Sequence, residues 1–247
     1  MSDLLCLATI ALAGLTQASL QLSFGALILL YHASMGRHRR KRTRFLAKSY
    51  IWGVGTVSFL MICCLAFLID TIMGGALSIL GLLILVGALC AIAFVMWGLY
   101  FRGTGTELWI PRNLSRYVSR RARNTNDNLE AFSLGMLSNF LEMPLSIVLS
   151  LVAANAMIAM SSQWQVLAAL LFAVLSIAPL IYLKLTIKTG RNALEIQKWR
   201  QKNKKFLKNI ASSSFLTLAL FIIAFWVVKW WNTRATSIVT REFIRAY

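Results

Sequence analysis

Charged residues are scarce in this sequence. Asp, Glu, Lys and Arg make up 14% of the 247 residues, whereas about a quarter is usual in a soluble domain. Hydrophobic residues account for 58%. A soluble enzyme is excluded because so few charges cannot cover a globule, and disorder is excluded by the apolar content. The composition indicates an integral membrane protein.

Residues with catalytic or metal-binding chemistry are also few. There are two histidines, His32 and His38, and the four cysteines all lie in apolar stretches without a Cys-x-x-Cys pair. No nucleophile elbow, Walker A loop or His-Glu-x-x-His motif occurs. The sequence therefore predicts no cofactor, no metal site and no catalytic constellation, and it favours a protein that is not an enzyme.

Six apolar stretches are long enough to cross a bilayer. About 20 apolar residues, rising ~1.5 Å each, span a hydrocarbon core ~30 Å thick. Because their apolar character is continuous and does not alternate, we expect helices and not a barrel. The predicted spans are Leu4–Tyr31, Ser49–Ile69, Ala76–Tyr100, Ala131–Met160, Trp164–Leu183 and Ile210–Val228. Glu142 is the only charged residue inside any of them.

The basic residues predict the orientation of these spans. Most of the 26 Lys and Arg residues lie in segments 37–48, 102–123 and 184–208, whereas the short connections 71–75 and 161–163 contain none. Cytoplasmic loops carry an excess of Lys and Arg, so we expect the three basic segments in the cytoplasm and both termini outside. The predicted location is the cell membrane, in the manner of a multi-pass bacterial inner-membrane protein.

The same basic clusters predict the partners. Every cluster lies next to a span, which favours anionic lipid headgroups of the inner leaflet over nucleic acid. In Pro111–Ala122, apolar side chains share one helical face among arginines, which is typical of an interfacial helix. A homo-oligomer or a membrane partner remains open. The candidate headgroup ligands are Arg39, Arg40, Arg112, Arg116, Arg120, Lys204 and Lys205.

The chain is predicted to be an all-α integral membrane protein whose six transmembrane helices form two inverted three-helix repeats, residues 1–123 and 124–247. Because each half has an odd number of spans, the second half crosses the membrane in the opposite orientation to the first. A shift of 121 positions relates polar and small residues of the first and fourth spans, and their spacing puts each set on one helical face. The pairs are Gly14 and Gly135, Gln17 and Ser138, Gln21 and Glu142, and Gly25 and Ser146.

These two stripes predict a polar site at mid-membrane. Lipid offers no hydrogen-bond partners, so polar side chains in a span should face protein or water. Glu142 falls near the midplane, and we expect its carboxyl to be neutral at rest and to lose its proton when a cation or substrate arrives. Pro144 removes a backbone hydrogen bond beside it. The candidate pathway residues are Gln17, Gln21, Ser23, Ser138, Asn139, Glu142 and Pro144.

The first and fourth spans resemble those of a known superfamily. Ala13-Gly14-Leu15-Thr16-Gln17, echoed by Leu134-Gly135-Met136-Leu137-Ser138, together with the three-plus-three layout, is similar to the lysine exporters and CcdA-type thiol transporters. This resemblance implies export of a small solute or passage of reducing equivalents. The redox branch uses a cysteine in the first and the fourth helix, and the fourth span here has none. Ser23 stands opposite Pro144, where many members have a second proline.

The sequence leaves three functions open. The favoured one is a small secondary transporter or exporter of a small solute or cation, with a polar site between helices one and four. The alternative is a non-transporting scaffold or partner subunit in which Glu142 joins helices by hydrogen bonds. A membrane enzyme acting on lipid has the least support, since no nucleophile–base pair is present.

Overall fold

A computed structural model describes residues 3–20, 27–28, 30, 40–98, 117, 120–122, 125, 127–186, 195–196, 198–199 and 202–245. In this part of the chain six long helices form and no strand is present. All six are long and apolar enough to cross a membrane, which confirms the predicted class and span number. The helices are α1 (Asp3–Leu20), α2 (Arg40–Met73), α3 (Ile79–Gly98), α4 (Asn128–Ile158), α5 (Ser162–Thr186) and α6 (Lys204–Arg245).

Two helices extend well beyond their predicted spans. The helix α2 starts at Arg40, within the first basic segment, and α6 runs for 42 residues through the polar tail to Arg245. Neither helix contains proline, and α6 also lacks glycine. These two residues are the strongest helix breakers, so no residue of this kind ends α6 early. At ~1.5 Å per residue α6 is about 63 Å long, which exceeds the hydrocarbon core. The second half of the predicted first span falls largely outside the described residues.

One end of the bundle is formed by short connections. Gly74, with φ 66°, ends α2 in the left-handed region that favours glycine. The amide of Leu77 donates to Asn155 Oδ1 at 2.7 Å, and the Ser161 hydroxyl donates to Asp3 Oδ2 at 2.8 Å. We call this the short-loop end. It joins the start of α1 to the turn between α4 and α5.

The opposite end carries the basic residues. Arg42 at the start of α2 lies 4.0 Å from Asp127, the residue before α4. Lys48 lies close enough to Lys184, near the end of α5, to interact electrostatically with it. We call this the basic end. Described residues of all three basic segments lie at this end. This agrees with the positive-inside rule, which requires the three basic segments on one side of the membrane. That this side is the cytoplasm stays a prediction.

The helices pack in a defined set of neighbours. The helix α1 packs against α4, α5 and α6, while α2 packs against α4 and α5, and α3 packs against α6 and α4. A smaller contact joins α4 to α5. Large apolar side chains fill the interior, whereas other apolar side chains cover the outside of the bundle, where hydrocarbon can solvate them. The interior includes Ile10, Leu89, Leu149, Phe172 and Phe215, and the outside includes Trp52, Phe67, Leu80, Phe94 and Leu220.

Candidate functional site

The polar stripe of α4 faces the inside of the bundle. Glu142 is only 5% exposed and lies near the middle of the helix. The opposite face turns outward, because Pro144 is exposed and Phe140 is 51% exposed. The backbone carbonyl that Pro144 deprives of its donor is that of Phe140. The other buried polar residues of the stripe are Ser138, Asn139, Ser146 and Ser150.

Part of this stripe joins α4 to α2. A Cβ added at Gly135 would overlap the carbonyl oxygen of Tyr50, and a Cβ added at Gly53 would overlap that of Phe132. The two backbones therefore touch through glycines on both sides, as small residues allow in membrane helices. Sequence reasoning assigned Gly135 to the repeat pattern but missed Gly53. The signal was the Gly53-Val54-Gly55 segment inside an apolar span.

Asn139 also belongs to this contact. Its Nδ2 donates to the carbonyl oxygen of Val54 at 3.3 Å and to the hydroxyl of Ser58 at 3.1 Å. Both acceptors lie on α2, one turn from the glycine contact. Asn139 was predicted to line a pathway between α1 and α4, and the structure adds that its amide donates to α2. Ser58 was missed, although a serine in an apolar span is itself a signal.

The helix α1 packs against α4 and carries buried polar residues of its own. Gln17 is 3% exposed, and its neighbour Thr16 donates its hydroxyl to the carbonyl oxygen of Leu12 in its own helix at 2.8 Å. A Cβ added at Gly14 would lie 3.1 Å from Leu175 Cβ, so this glycine fits closely against α5. Small residues let α1 sit among α4, α5 and α6.

Three buried oxygen atoms in this region have no hydrogen-bond partner in the part of the chain that the structure describes. They are Gln17 Oε1, Ser146 Oγ and Ser150 Oγ. An unsatisfied buried polar group costs about 1–3 kcal/mol, so a ligand or an ordered water that bonded to these oxygens would stabilise the bundle. Ser150 was not predicted as a site residue, and Ser146 entered only as the counterpart of Gly25.

The three oxygens lie at similar depths. Asp3 and Ser161 are in contact at the short-loop end, and α1 and α4 lead away from it side by side. At ~1.5 Å per residue, Gln17 is about 21 Å from Asp3 and Ser146 is about 22 Å from Ser161. Ser150 is one turn nearer to the short-loop end, and Glu142 is one turn deeper. Glu142, Ser146 and Ser150 share one face of α4, and Gln17 lies at a similar depth on the neighbouring helix α1. We call these four buried residues the polar seam.

The remaining predicted residues divide into two groups. Arg120 and Lys205 are exposed, as headgroup ligands must be, and Arg40 and Lys204 lie in the first turns of α2 and α6. A cavity of about 220 Å³ is lined by Tyr117, Arg120, Arg121 and Glu130. The predicted site residues outside the described residues are Gln21, Ser23, Arg39, Arg112 and Arg116.

Comparison with known proteins gives no further assignment. No protein-family model, curated protein or solved structure matches the chain. The resemblance to the lysine exporter and CcdA-type superfamily therefore stays a prediction, carried by the two helix segments 13–17 and 134–138. The features of the chain that bear on its function are the buried polar residues of α1 and α4.

Proposed function

We propose that the protein is a small secondary transporter or exporter of a small solute or cation, with its pathway along the polar seam between α1 and α4. The observation that carries this proposal is the burial of Glu142 at mid-helix, together with three buried oxygens without partners on α1 and α4. Ionisable and polar groups at membrane depth are expensive, and they are typical of substrate and proton pathways. In this mechanism the Glu142 carboxyl releases its proton when a cation binds and takes a proton up when the cation leaves.

The proposal includes two inverted three-helix repeats, α1–α3 and α4–α6. Support comes from the neighbours of each helix. Exchanging α1 with α4, α2 with α5, and α3 with α6 turns the α1–α5 contact into the α4–α2 contact, and the α1–α6 contact into the α4–α3 contact. The small α4–α5 contact departs from this pattern, because its counterpart, α1–α2, does not occur among the described residues. The pairs α1–α4, α2–α5 and α3–α6, which this exchange leaves unchanged, are also all in contact.

The glycines of the leading helices support the same relationship. Gly14 fits against Phe172 and Leu175 of α5, and Gly135 fits against Tyr50 and Val54 of α2. Phe172 is one position beyond the 121-residue counterpart of Tyr50. Leu175 follows Val54 by 121 positions, which is also the shift between the two glycines. Each leading helix therefore uses the corresponding small residue to approach the corresponding partner helix.

Contacts near the expected symmetry axis agree with this shift. Gly55 of α2 fits against Ile177 of α5, one position from its own counterpart, Ser176. Ser212 of α6 donates to the carbonyl oxygen of Ala93 in α3 at 3.1 Å, two positions from the counterpart of Ala93. The helices α1 and α4 run in opposite directions, and Asp3 lies beside Ser161. The shift of 121 makes position 124 the counterpart of Asp3. The point of α4 on the expected symmetry axis is therefore midway between positions 124 and 161, at Glu142.

An axis through Glu142 suits alternating access. Inverted-repeat transporters hold their substrate near the bilayer midplane at the interface of the repeats, and rocking of one repeat on the other opens each side in turn. A carboxyl at that point is at equal depth from both surfaces and can exchange with either. We also propose that the basic end faces the cytoplasm, where Arg120 and Lys205 contact anionic headgroups.

The scaffold function remains the second candidate, and Asn139 favours it. Its hydrogen bonds to Val54 and Ser58 join α4 to α2 without leaving the amide nitrogen available to a solute. If Glu142 acts in the same manner, the whole stripe holds helices together and nothing crosses the membrane. The two functions differ in whether Glu142 can be neutralised without losing the fold.

Proteoliposomes loaded with a pH-sensitive dye test the proposal. We expect wild-type protein to move protons when a pH or a sodium gradient is imposed, and Glu142→Gln to remain folded but abolish this movement. Glu195→Gln, which neutralises an exposed acid, should behave as wild type. Proton movement by neither wild type nor variant under any gradient would contradict the carboxyl mechanism, and an unfolded Glu142→Gln protein would favour the scaffold.

A further inference from the structure

We propose that Gln17, Ser146 and Ser150 form a binding site for a monovalent alkali cation, one helical turn from Glu142 toward the short-loop end. This inference deepens the proposed function and rests on it, because it names the ion that the polar seam would carry. Oxygen atoms are the ligands that hard cations prefer in proteins.

Each of the three side chains has an oxygen atom that accepts or donates no hydrogen bond among the described residues. Gln17 Oε1 can accept but not donate, and neither serine oxygen has a hydrogen-bond partner among the described residues. Ser146 and Ser150 are four positions apart in α4 and therefore share one helical face. All three residues are more than nine-tenths buried, so bulk water does not reach them in this conformation.

Other hydroxyls in the bundle are satisfied. Thr9 donates to the carbonyl oxygen of Leu5 at 2.9 Å, and Thr56 donates to that of Trp52 at 2.8 Å. Ser212 donates across helices to Ala93 at 3.1 Å. Helical serines normally find such a carbonyl four residues earlier. Ser146 and Ser150 are different from these hydroxyls, which is expected if their oxygens are oriented for a ligand.

The charge of the ligand follows from Glu142. This residue shares the buried face with Ser146, one turn away, and it is the only charged residue in the predicted spans. A single carboxylate balances a single positive charge. Calcium usually takes six to eight oxygens, including carboxylates, and magnesium keeps several waters, so this seam suits a dehydrated monovalent cation better.

Thermal unfolding of the full chain in detergent tests the site. Sodium chloride replaces choline chloride at constant ionic strength, and the Tm is followed by tryptophan fluorescence. We expect sodium to raise the Tm of wild type by about 5 °C or more at a hundred-fold excess over its Kd. Ser146→Ala, Ser150→Ala and Gln17→Met should each weaken the apparent sodium affinity at least about ten-fold.

Ser212→Ala is the matched control. It removes a buried serine hydroxyl elsewhere in the bundle, so it should lower the Tm while keeping the sodium-dependent rise. The proposal is overturned if sodium and choline give the same Tm for wild type, which indicates bound water only. It is also overturned if methylammonium stabilises wild type and sodium does not, or if all three seam variants keep the sodium response.

This outcome is separable from the transport proposal. Sodium binding without any flux in proteoliposomes would support the cation site and contradict the transport proposal. Flux that depends on Glu142, together with the absence of sodium-dependent stabilisation in thermal unfolding, would support the transport proposal and contradict the cation site.

Discussion

Gly135 of α4 lies in direct backbone contact with Tyr50 of α2, so close that a Cβ at position 135 would overlap the Tyr50 carbonyl oxygen. Asn139 continues this contact one turn farther along α4 by hydrogen bonding to α2. The two helices therefore form a tightly joined pair. The polar oxygens without partners belong to α1 and α4, which also pack against each other, and this makes the α1–α4 pair the more suitable place for movement or for a ligand.

The glycine contact predicts a strong effect of one methyl group. Gly135→Ala should destabilise the protein by about 1–3 kcal/mol, because overpacking in a closely fitted interior forces backbone shifts. Thermal unfolding in detergent measures the effect. Gly87→Ala is the control, since nothing lies within 4 Å of a Cβ added there. Equal stability of the two variants would contradict the close α2–α4 contact.

The hydrogen bonds of Asn139 predict a coupling between two helices. A double-mutant cycle of Asn139→Ala and Ser58→Ala should give an interaction energy of about 0.6 kcal/mol, the average for such bonds in membranes, and no more than about 1.7 kcal/mol. Both single variants should retain transport if the contact is only structural. Additive effects on unfolding, or loss of flux without loss of stability, would show that Asn139 has a different role.

The contact at the short-loop end predicts a specific crosslink. In a background without the four native cysteines, Asp3→Cys with Ser161→Cys should form a disulfide upon oxidation, because Asp3 Oδ2 and Ser161 Oγ lie 2.8 Å apart. Mass spectrometry counts the remaining free thiols. Asp3→Cys with Asp127→Cys should stay reduced, since position 127 lies at the basic end. Similar yields for the two pairs would contradict the antiparallel course of α1 and α4.

The same cysteines report the orientation. A membrane-impermeant thiol reagent added to intact cells should label Asp3→Cys and spare Arg42→Cys, because the positive-inside rule predicts a cytoplasmic basic end. Both are single-cysteine variants in the cysteine-free background. Labelling of Arg42→Cys alone would reverse the topology, while leaving the fold unchanged.

The sequence predicts the spans well because membrane helices follow from length and hydropathy alone. It predicts the ends of helices poorly. Basic residues are good helix formers, so Arg40–Lys48 continues α2 where the charge pattern only indicated a loop. The tail beyond Asn232 remains helical because no glycine or proline interrupts α6.

The polar residues were found, but their partners were not. Burial of Gln17, Ser138, Asn139 and Glu142 follows from the absence of hydrogen-bond partners in lipid. Which helix each one faces depends on rotation and packing, and a single sequence does not contain this information. The hydrogen bonds of Asn139 to α2 were therefore not predicted, and the role of Gly53 became visible only from the backbone contact with Phe132.

The central claim is that the polar seam becomes accessible to water from at least one side of the membrane when the repeats rock and the pathway opens. Reaction of a small, charged thiol reagent with single-cysteine variants of α4 in proteoliposomes measures this directly. Ser146→Cys, on the buried polar face, should be modified at a measurable rate, whereas Phe140→Cys, on the exposed apolar face, should be protected by lipid. Protection of both residues under every gradient, or modification of Phe140→Cys alone, would contradict the account.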